Sequence, residues 1–271
     1  MSAARRPLKS LGQNFLVDGN IIDKIISSAA LESGDTVLEV GPGRGALTGK
    51  LAEHADQLLL VEYDHALAAD LSARFRENPR VMVVDGDILE VDLNALLQNG
   101  QKRWKVVANL PYNISTQVLF RFLEVRTRLS RMVLMLQKEV GDRLVAPPDC
   151  ADYGVTTVLL GLWFDMRREF VVSPGCFNPR PKVDSIVVSF VPLTSPRVEV
   201  GDEALFRRVV KGAFAMRRKT LSNCLKKVDL FTPDGIESVL KSCGIDGQRR
   251  GETLSLEEFG RLSRCLSGLS A

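Results

Sequence analysis

The chain has 271 residues, 45% of them hydrophobic and 25% charged, with a formal net charge of +3. That length and apolar content fit one large domain, or one large and one small, and exclude a disordered chain. Five scattered cysteines without C-x-x-C spacing and only two histidines argue against a zinc site and a disulfide framework. No apolar run reaches membrane-spanning length or reads as a secretory leader, so a cytoplasmic protein with neither membrane nor metal partner is expected.

Residues 1–17 form a basic arm carrying Arg5, Arg6 and Lys9 and ending in Gly12-Gln-Asn-Phe-Leu16. Asp18 has the character of an N-cap, and Ile21, Ile22, Ile25, Ile26 and Ala29 share one helical face behind it. The residues allow two readings: a frayed arm before a packed helix, or an arm whose Asn14 and Leu16 close over a ligand.

Thr36–Val40 is a short apolar run that enters Gly41-Pro-Gly-Arg-Gly45, and helix formers follow. This predicts a buried parallel strand turning sharply into a helix, with glycines that let the backbone approach a ligand closely. A second apolar run, Leu58–Val61, ends in Glu62, where a carboxylate can accept both hydroxyls of a ribose. Gly41, Gly43 and Ala46 also match the dinucleotide-binding pattern, so NAD and other nucleoside-containing cofactors both stay open.

Further units follow: helix 46–54, strand 58–62, helix 64–77, strand 81–85, strand 105–109, a helix from Ser115 to about Glu124, and strand 131–137. Their alternation predicts a Rossmann-like, mostly parallel α/β sheet with helices on both faces. Phe164–Phe170 and Ser185–Val191 are two more strands, joined by a link holding Pro174, Gly175, Pro179 and Pro181. No helical crossover fits that link, so a late antiparallel pair is expected.

Strand 105–109 runs into Asn109-Leu110-Pro111-Tyr112, a tetrapeptide expected at the carboxyl ends of the strands, facing the glycine loop. Asn109 offers an acceptor, Tyr112 a flat face, and Pro111 fixes the backbone and removes a donor. Together they suit an exocyclic amino group on a stacked ring. A plain Asn-Pro turn is the alternative.

Pro192–Gly201 reads as a linker, which divides the chain into 1–194 and a small helical domain, 195–271. Helices are expected over 203–215 and 218–227, after Thr232-Pro233, and from a Ser255…Glu258 capping box. Residues 195–271 carry 14 Lys and Arg against 10 Asp and Glu, while 1–194 carry 22 against 23, so the basic excess lies in the small domain. Arg207, Arg208, Lys211, Arg217, Arg218, Lys219, Lys226 and Lys227 concentrate it. With no broad apolar face beside them, these cations suit an RNA backbone better than a membrane; a solvated helix face is the alternative.

These stretches, taken in order, resemble the rRNA adenine N6,N6-dimethyltransferases of the bacterial small subunit. The resemblance rests on Gly12–Leu16, Glu39–Gly45, Gly86-Asp-Ile-Leu89, Asn109–Thr116, Gln137–Val140, Phe177–Ser185, Arg217–Leu221 and Glu252–Phe259, and covers about residues 8–266. It implies a class I methyltransferase sheet with a small C-terminal helical domain, S-adenosylmethionine as cofactor, and no metal. Its implied target is a pair of adjacent adenosines in the 3′-terminal hairpin loop of small-subunit rRNA, met on the assembling subunit by a monomeric enzyme. Carried over by position, Asn14, Leu16, Gly41, Gly43, Glu62, Asp87 and Asn109 hold the cofactor. Asn109, Leu110, Pro111, Tyr112 and Phe177 handle the base, with Tyr112 and Phe177 supplying aromatic faces. Arg207, Arg208, Lys211, Arg217, Arg218 and Lys219 grip the RNA.

Overall fold

A computed structural model describes residues 13–98, 100, 102–227 and 233–267; Arg5, Arg6 and Lys9 lie outside them. The chain forms two compact units. The first takes residues up to Gly141 together with Asp165–Pro192, and the second takes Asp142–Phe164 together with Leu193 onward.

The first unit opens with β1 (Phe15–Leu16) and α1 (Gly19–Ala29). Asp18 caps α1, its Oδ1 accepting from the backbone N–H groups of Asn20 and Ile21. Then follow β2 (Thr36–Val40), α2 (Thr48–His54), β3 (Gln57–Glu62), α3 (His65–Arg74) and β4 (Val81–Asp85). A short α4 (Leu93–Leu96), absent from the sequence expectation, is capped by Asp92 and leads to β5 (Trp104–Asn109). Next come α5 (Ser115–Glu124), β6 (Leu129–Gln137) and α6 (Lys138–Leu144), which lies across the boundary. After α7 (Val155–Gly161), part of the second unit, the chain returns with β7 (Phe164–Val172), β8 (Phe177–Asn178) and β9 (Ser185–Pro192).

Among the described residues the main sheet has the order β4-β3-β2-β5-β6-β9-β7. Strands β2 to β6 pair in parallel, while β9 runs antiparallel to β6, from Met132 opposite Phe190 to Gln137 opposite Ser185. The central strands are buried along nearly their whole length, as a parallel sheet covered on both faces requires. A second, two-stranded sheet pairs β1 with β8, placing Leu16 opposite Phe177.

The second unit contains α7, α8 (Glu203–Ala213), α9 (Leu221–Leu225), α10 (Pro233–Ser242) and α11 (Leu256–Ser267). Phe206, Val209, Val210, Phe259 and Leu262 form its buried centre. The capping box at α11 is reciprocal: Glu258 N donates to Ser255 Oγ at 3.2 Å, and Ser255 N donates to Glu258 Oε2 at 2.9 Å. Helix α9 is shorter than the expected 218–227, because Thr220 caps it by accepting from Asn223 N.

The single break expected at 194/195 does not describe the grouping of residues 142–164. Asp149 N donates to Glu252 O at 2.8 Å, Leu193 N donates to Trp163 O at 2.8 Å, and the Tyr153 ring lies 5.9 Å from that of Phe214. The expected linker is likewise bonded in place, with Arg197 Nε donating to Gly161 O. No helix of the described residues is long and apolar enough to cross a membrane.

Candidate active site

A cavity of about 300 Å3 lies in the first unit at the carboxyl ends of β2, β3 and β5. The glycine loop, Glu62-Tyr63, Gly86–Ile88, Asn109–Ile114 and the arm residues 13–16 form its walls. It therefore gathers Asn14, Leu16, Gly41, Gly43, Glu62, Asp87 and all of Asn109–Tyr112 around one space.

The loop is shaped by residues that only glycine suits. Gly41 and Gly43 have φ of 62° and 58°, in the left-handed region where a side chain is strained. At Gly43 a Cβ would also stand 3.0 Å from Phe15 Cε1. Gly43 N donates to Glu62 Oε2 at 2.8 Å, and Asp64 N donates to Glu62 Oε1 at 2.9 Å. The Glu62 side chain is thus fixed from both sides, and each oxygen keeps a second acceptor site for a hydroxyl. Burial raises the Glu62 carboxyl above its usual range, against the pull of these N–H groups.

Glu39 is a second carboxyl in the wall, one the motif reading left without a role. It is 2% exposed, accepts from Thr48 Oγ1 at 2.7 Å, and is pushed up to about 8, first by burial and further by the nearby charge of Glu62. Its bond joins the last turn of β2 to the start of α2 and so closes the base of the glycine loop. Tyr63, 57% exposed beside Glu62, also lines the cavity. The signals for both were plain: an acidic residue inside an apolar strand, and an aromatic directly after the carboxylate.

Strand β5 delivers Asn109 to the cavity, where its Nδ2 donates to Asn14 O at 3.2 Å. The amide's Oδ1 is then the end left to accept. Leu110 N is tied to Met135 O, and the carbonyls of Pro111 and Tyr112 take Ile114 N and Ser115 Oγ. The Tyr112 hydroxyl is 2.6 Å from Ser185 Oγ, an arrangement that fixes the ring, and burial raises its pKa. Asp87 folds back on its own loop, its Oδ1 accepting from Leu89 N at 2.8 Å.

Phe177 is placed differently from the expectation of an aromatic face on the ligand. It is 2% exposed, packs in the core with Leu16, Ile25 and Val172, and is not among the residues lining the cavity. Its backbone pairs with that of Leu16 in the small sheet.

In the second unit Arg208, Lys211, Arg217, Arg218 and Lys219 are exposed, and Arg207 is half-buried. Arg217 has a structural bond of its own, donating to Ala151 O at 2.6 Å. Lys226 is paired with Glu237 at 2.6 Å. Among the described residues no group of three or more His, Cys, Asp or Glu has metal-binding proximity.

The chain is similar to known proteins in sequence and in fold. The family model for ribosomal RNA adenine dimethylase matches residues 5–267. "Ribosomal RNA small subunit methyltransferase A" of Geobacter metallireducens is 57% identical over 266 residues, 97% of each chain. The protein of that name from Clostridium botulinum (strain Loch Maree) is 43% identical, over 95% of this chain and 93% of its own. A crystal structure of a dimethyladenosine transferase from Plasmodium falciparum superposes with a TM-score of 0.78 at 26% identity, covering 92% of this chain and 95% of that one. The 23S rRNA methyltransferase ErmE gives 0.68 at 26% identity, covering 94% and 100%. With the family model matched nearly from end to end, the chain belongs to the ribosomal RNA adenine dimethylase family.

Proposed function

We propose that this protein transfers methyl groups from S-adenosylmethionine to N6 of adenosines in small-subunit rRNA, giving N6,N6-dimethyladenosine. The targets in this reading are two adjacent adenosines of the 3′-terminal hairpin loop, met by a cytoplasmic monomer on the assembling subunit. One observation carries it: Asn109-Leu-Pro-Tyr112 and Glu62 share a single cavity, in a chain whose 57%-identical relatives are named for small-subunit rRNA methylation.

The cavity suits the cofactor by its donor set and its space. Glu62, Asp87, Ile88 and the glycine loop line it. Glu62 would offer two acceptor positions to the ribose hydroxyls, Asp87 and Ile88 would hold the adenine, and the bare glycine backbone would admit close approach. Asn14, Leu16, Gly41 and Gly43 complete the cradle. When bound, S-adenosylmethionine supplies an electrophilic methyl group on a sulfonium.

The protein's own task is to prepare the amino nitrogen. Its lone pair is delocalised into the adenine ring and is weakly nucleophilic. In the first transfer Asn109 Oδ1 and the Leu110 carbonyl accept its two hydrogens, and in the second they share the one that remains. They draw the nitrogen toward tetrahedral geometry and localise the pair. Positioning and preorganised dipoles do this without a strong base. The methyl's C–S bond would break as the C–N bond forms, and the surplus proton passes from nitrogen to solvent. Tyr112, its hydroxyl held by Ser185, stacks on the ring and favours the positive charge that grows there. Pro111 keeps the turn rigid, and Phe177 contributes by holding Leu16 in place. Removing the base from its stack costs a few kcal/mol, which stacking in the cavity offsets. Arg207, Arg208, Lys211, Arg218 and Lys219 hold the RNA backbone, with Arg217 bonded to both protein and RNA.

Incorporation of labelled methyl groups into undermethylated small subunits, large subunits and free rRNA tests the assignment. Small subunits are expected to be labelled at N6 of adenosine; label in large subunits alone overturns it.

A further inference from the structure

Beyond the residues that meet cofactor and base, one contact links the arm to the chemistry. Asn109 Nδ2 donates to the backbone carbonyl of Asn14. A primary amide has a donor end and an acceptor end of nearly equal size, so the partner of one end decides where the other points. Flipping Asn109 would set oxygen against the Asn14 oxygen. The orientation of the proposed acceptor Oδ1 therefore depends on where the arm places one carbonyl.

Phe15, the next residue, has the contacts to place it. Its ring lies against Gly43, so closely that a Cβ there would be 3.0 Å away, and the Arg44 guanidinium covers it at 4.4 Å from the centroid. Its backbone pairs with Asn178 in the small sheet, and Val17 N donates to Cys176 O at 2.9 Å. On the other side of Asn14, Gln13 Nε2 donates to Asp64 Oδ2 at 3.3 Å. Asn14 thus sits between two anchors, of which the aromatic one rests on the glycine loop itself.

We propose that Phe15 is a positioning residue of the methyl-transfer site: clamped between Gly43 and Arg44, it sets the Asn14 carbonyl that turns the Asn109 amide oxygen toward the acceptor nitrogen. This rests on the function proposed above. It also makes the glycine loop and the catalytic amide mechanically one object, since the ring that touches the loop fixes the carbonyl that holds the amide.

The test is a double-mutant cycle of Phe15→Ala and Asn109→Ala, read as single-turnover methyl transfer to undermethylated small subunits at saturating S-adenosylmethionine. Phe15→Ala should lower the rate at least tenfold, a misorientation effect. It should leave subunit affinity unchanged and have no further effect in the Asn109→Ala background. Phe15→Tyr should restore the rate, because the ring and its contacts remain. Phe15→Leu, which keeps apolar bulk without a flat ring, should stay slow at an unchanged melting temperature. Equal losses from Phe15→Ala in both backgrounds, or a change confined to the KM for the cofactor, overturns the inference while leaving the enzyme assignment standing. Absence of transfer by the unaltered chain would instead remove the assignment.

Discussion

Replacing Glu62 by glutamine changes one oxygen to NH2 and little else, which makes it a sharp probe of the proposed ribose contact. Both carboxylate oxygens already accept a backbone N–H, from Gly43 at 2.8 Å and Asp64 at 2.9 Å. Whichever way the glutamine turns, its NH2 meets one of those donors, so one anchor is lost and the glycine loop or the start of α3 must shift. A hydroxyl can reverse its role and accept from NH2, so the ligand bond itself is not the main loss. A hydrogen bond to a charged group contributes about 1.5–3 kcal/mol, which is roughly 10- to 150-fold in Kd. Glu62→Gln should therefore weaken S-adenosylmethionine by at least about tenfold, and Glu62→Ala, which loses both anchors and both acceptors, by more. Isothermal titration at neutral pH measures it. Because burial holds the wild-type carboxyl above its usual range, affinity should also fall on acidification sooner than for an ordinary glutamate. Near wild-type affinity in Glu62→Gln would refute the reasoning, since it would mean the two backbone bonds do not shape the site.

Three further outcomes are expected. Tyr112→Phe should keep most of the transfer rate and lower the melting temperature slightly, by loss of the Ser185 bond, whereas Tyr112→Ala should cost the stacking, about 1–3 kcal/mol or roughly 5- to 150-fold; the reverse order in single-turnover rates would assign the hydroxyl a chemical role. Arg218→Glu with Lys219→Glu should flatten the salt dependence of RNA binding by about 1.4 for two lost phosphates and leave cofactor affinity alone; this pair is cleaner than one including Arg217, whose bond to Ala151 is structural. Glu39 takes up its proton at about 8 in the fold against 4.5 when free, so its contribution to stability is fully present below 4.5 and is lost as pH rises through 8. Relative to Glu39→Gln, the wild type should lose about 1.4 kcal/mol per pH unit within that window, and parallel denaturation curves would refute it.

The sheet and the base of the site were legible because their signals are local. Uninterrupted apolar runs mark parallel strands, glycines mark the turn after β2, and Asn109–Tyr112 stands where the β5 strand ends. What was not legible depends on pairings far apart in sequence. The two-residue strand at Phe15 has no periodicity of its own and exists because Phe177 and Asn178 lie opposite it. For the same reason the motif at Phe177 does not disclose its burial or its pairing with Leu16. The bond from Asn109 to Asn14 spans 95 residues, and nothing in either short motif encodes it. Residues 142–164 carry apolar stretches that suit either neighbour, and only contacts with residues 193–267 decide between them.

That last grouping has a consequence for how the protein is made. The chain crosses between its two units three times, at 141/142, 164/165 and 192/193, so neither unit is a continuous piece that can be excised or completed by itself. As synthesis proceeds from the N-terminus, residues 142–164 are present before any of α8 to α11 has been made. Until then α7, whose Val158, Leu159 and Leu160 are buried in the finished fold, lacks the α8 it packs against. A nascent chain paused near residue 194 therefore carries a sticky segment, the kind of surface that chaperones bind and that aggregates at high concentration. Ending the chain at residue 194 would make that passing vulnerability permanent. A soluble fragment of the first unit is better sought by replacing residues 142–164 with a short loop than by cutting at the linker.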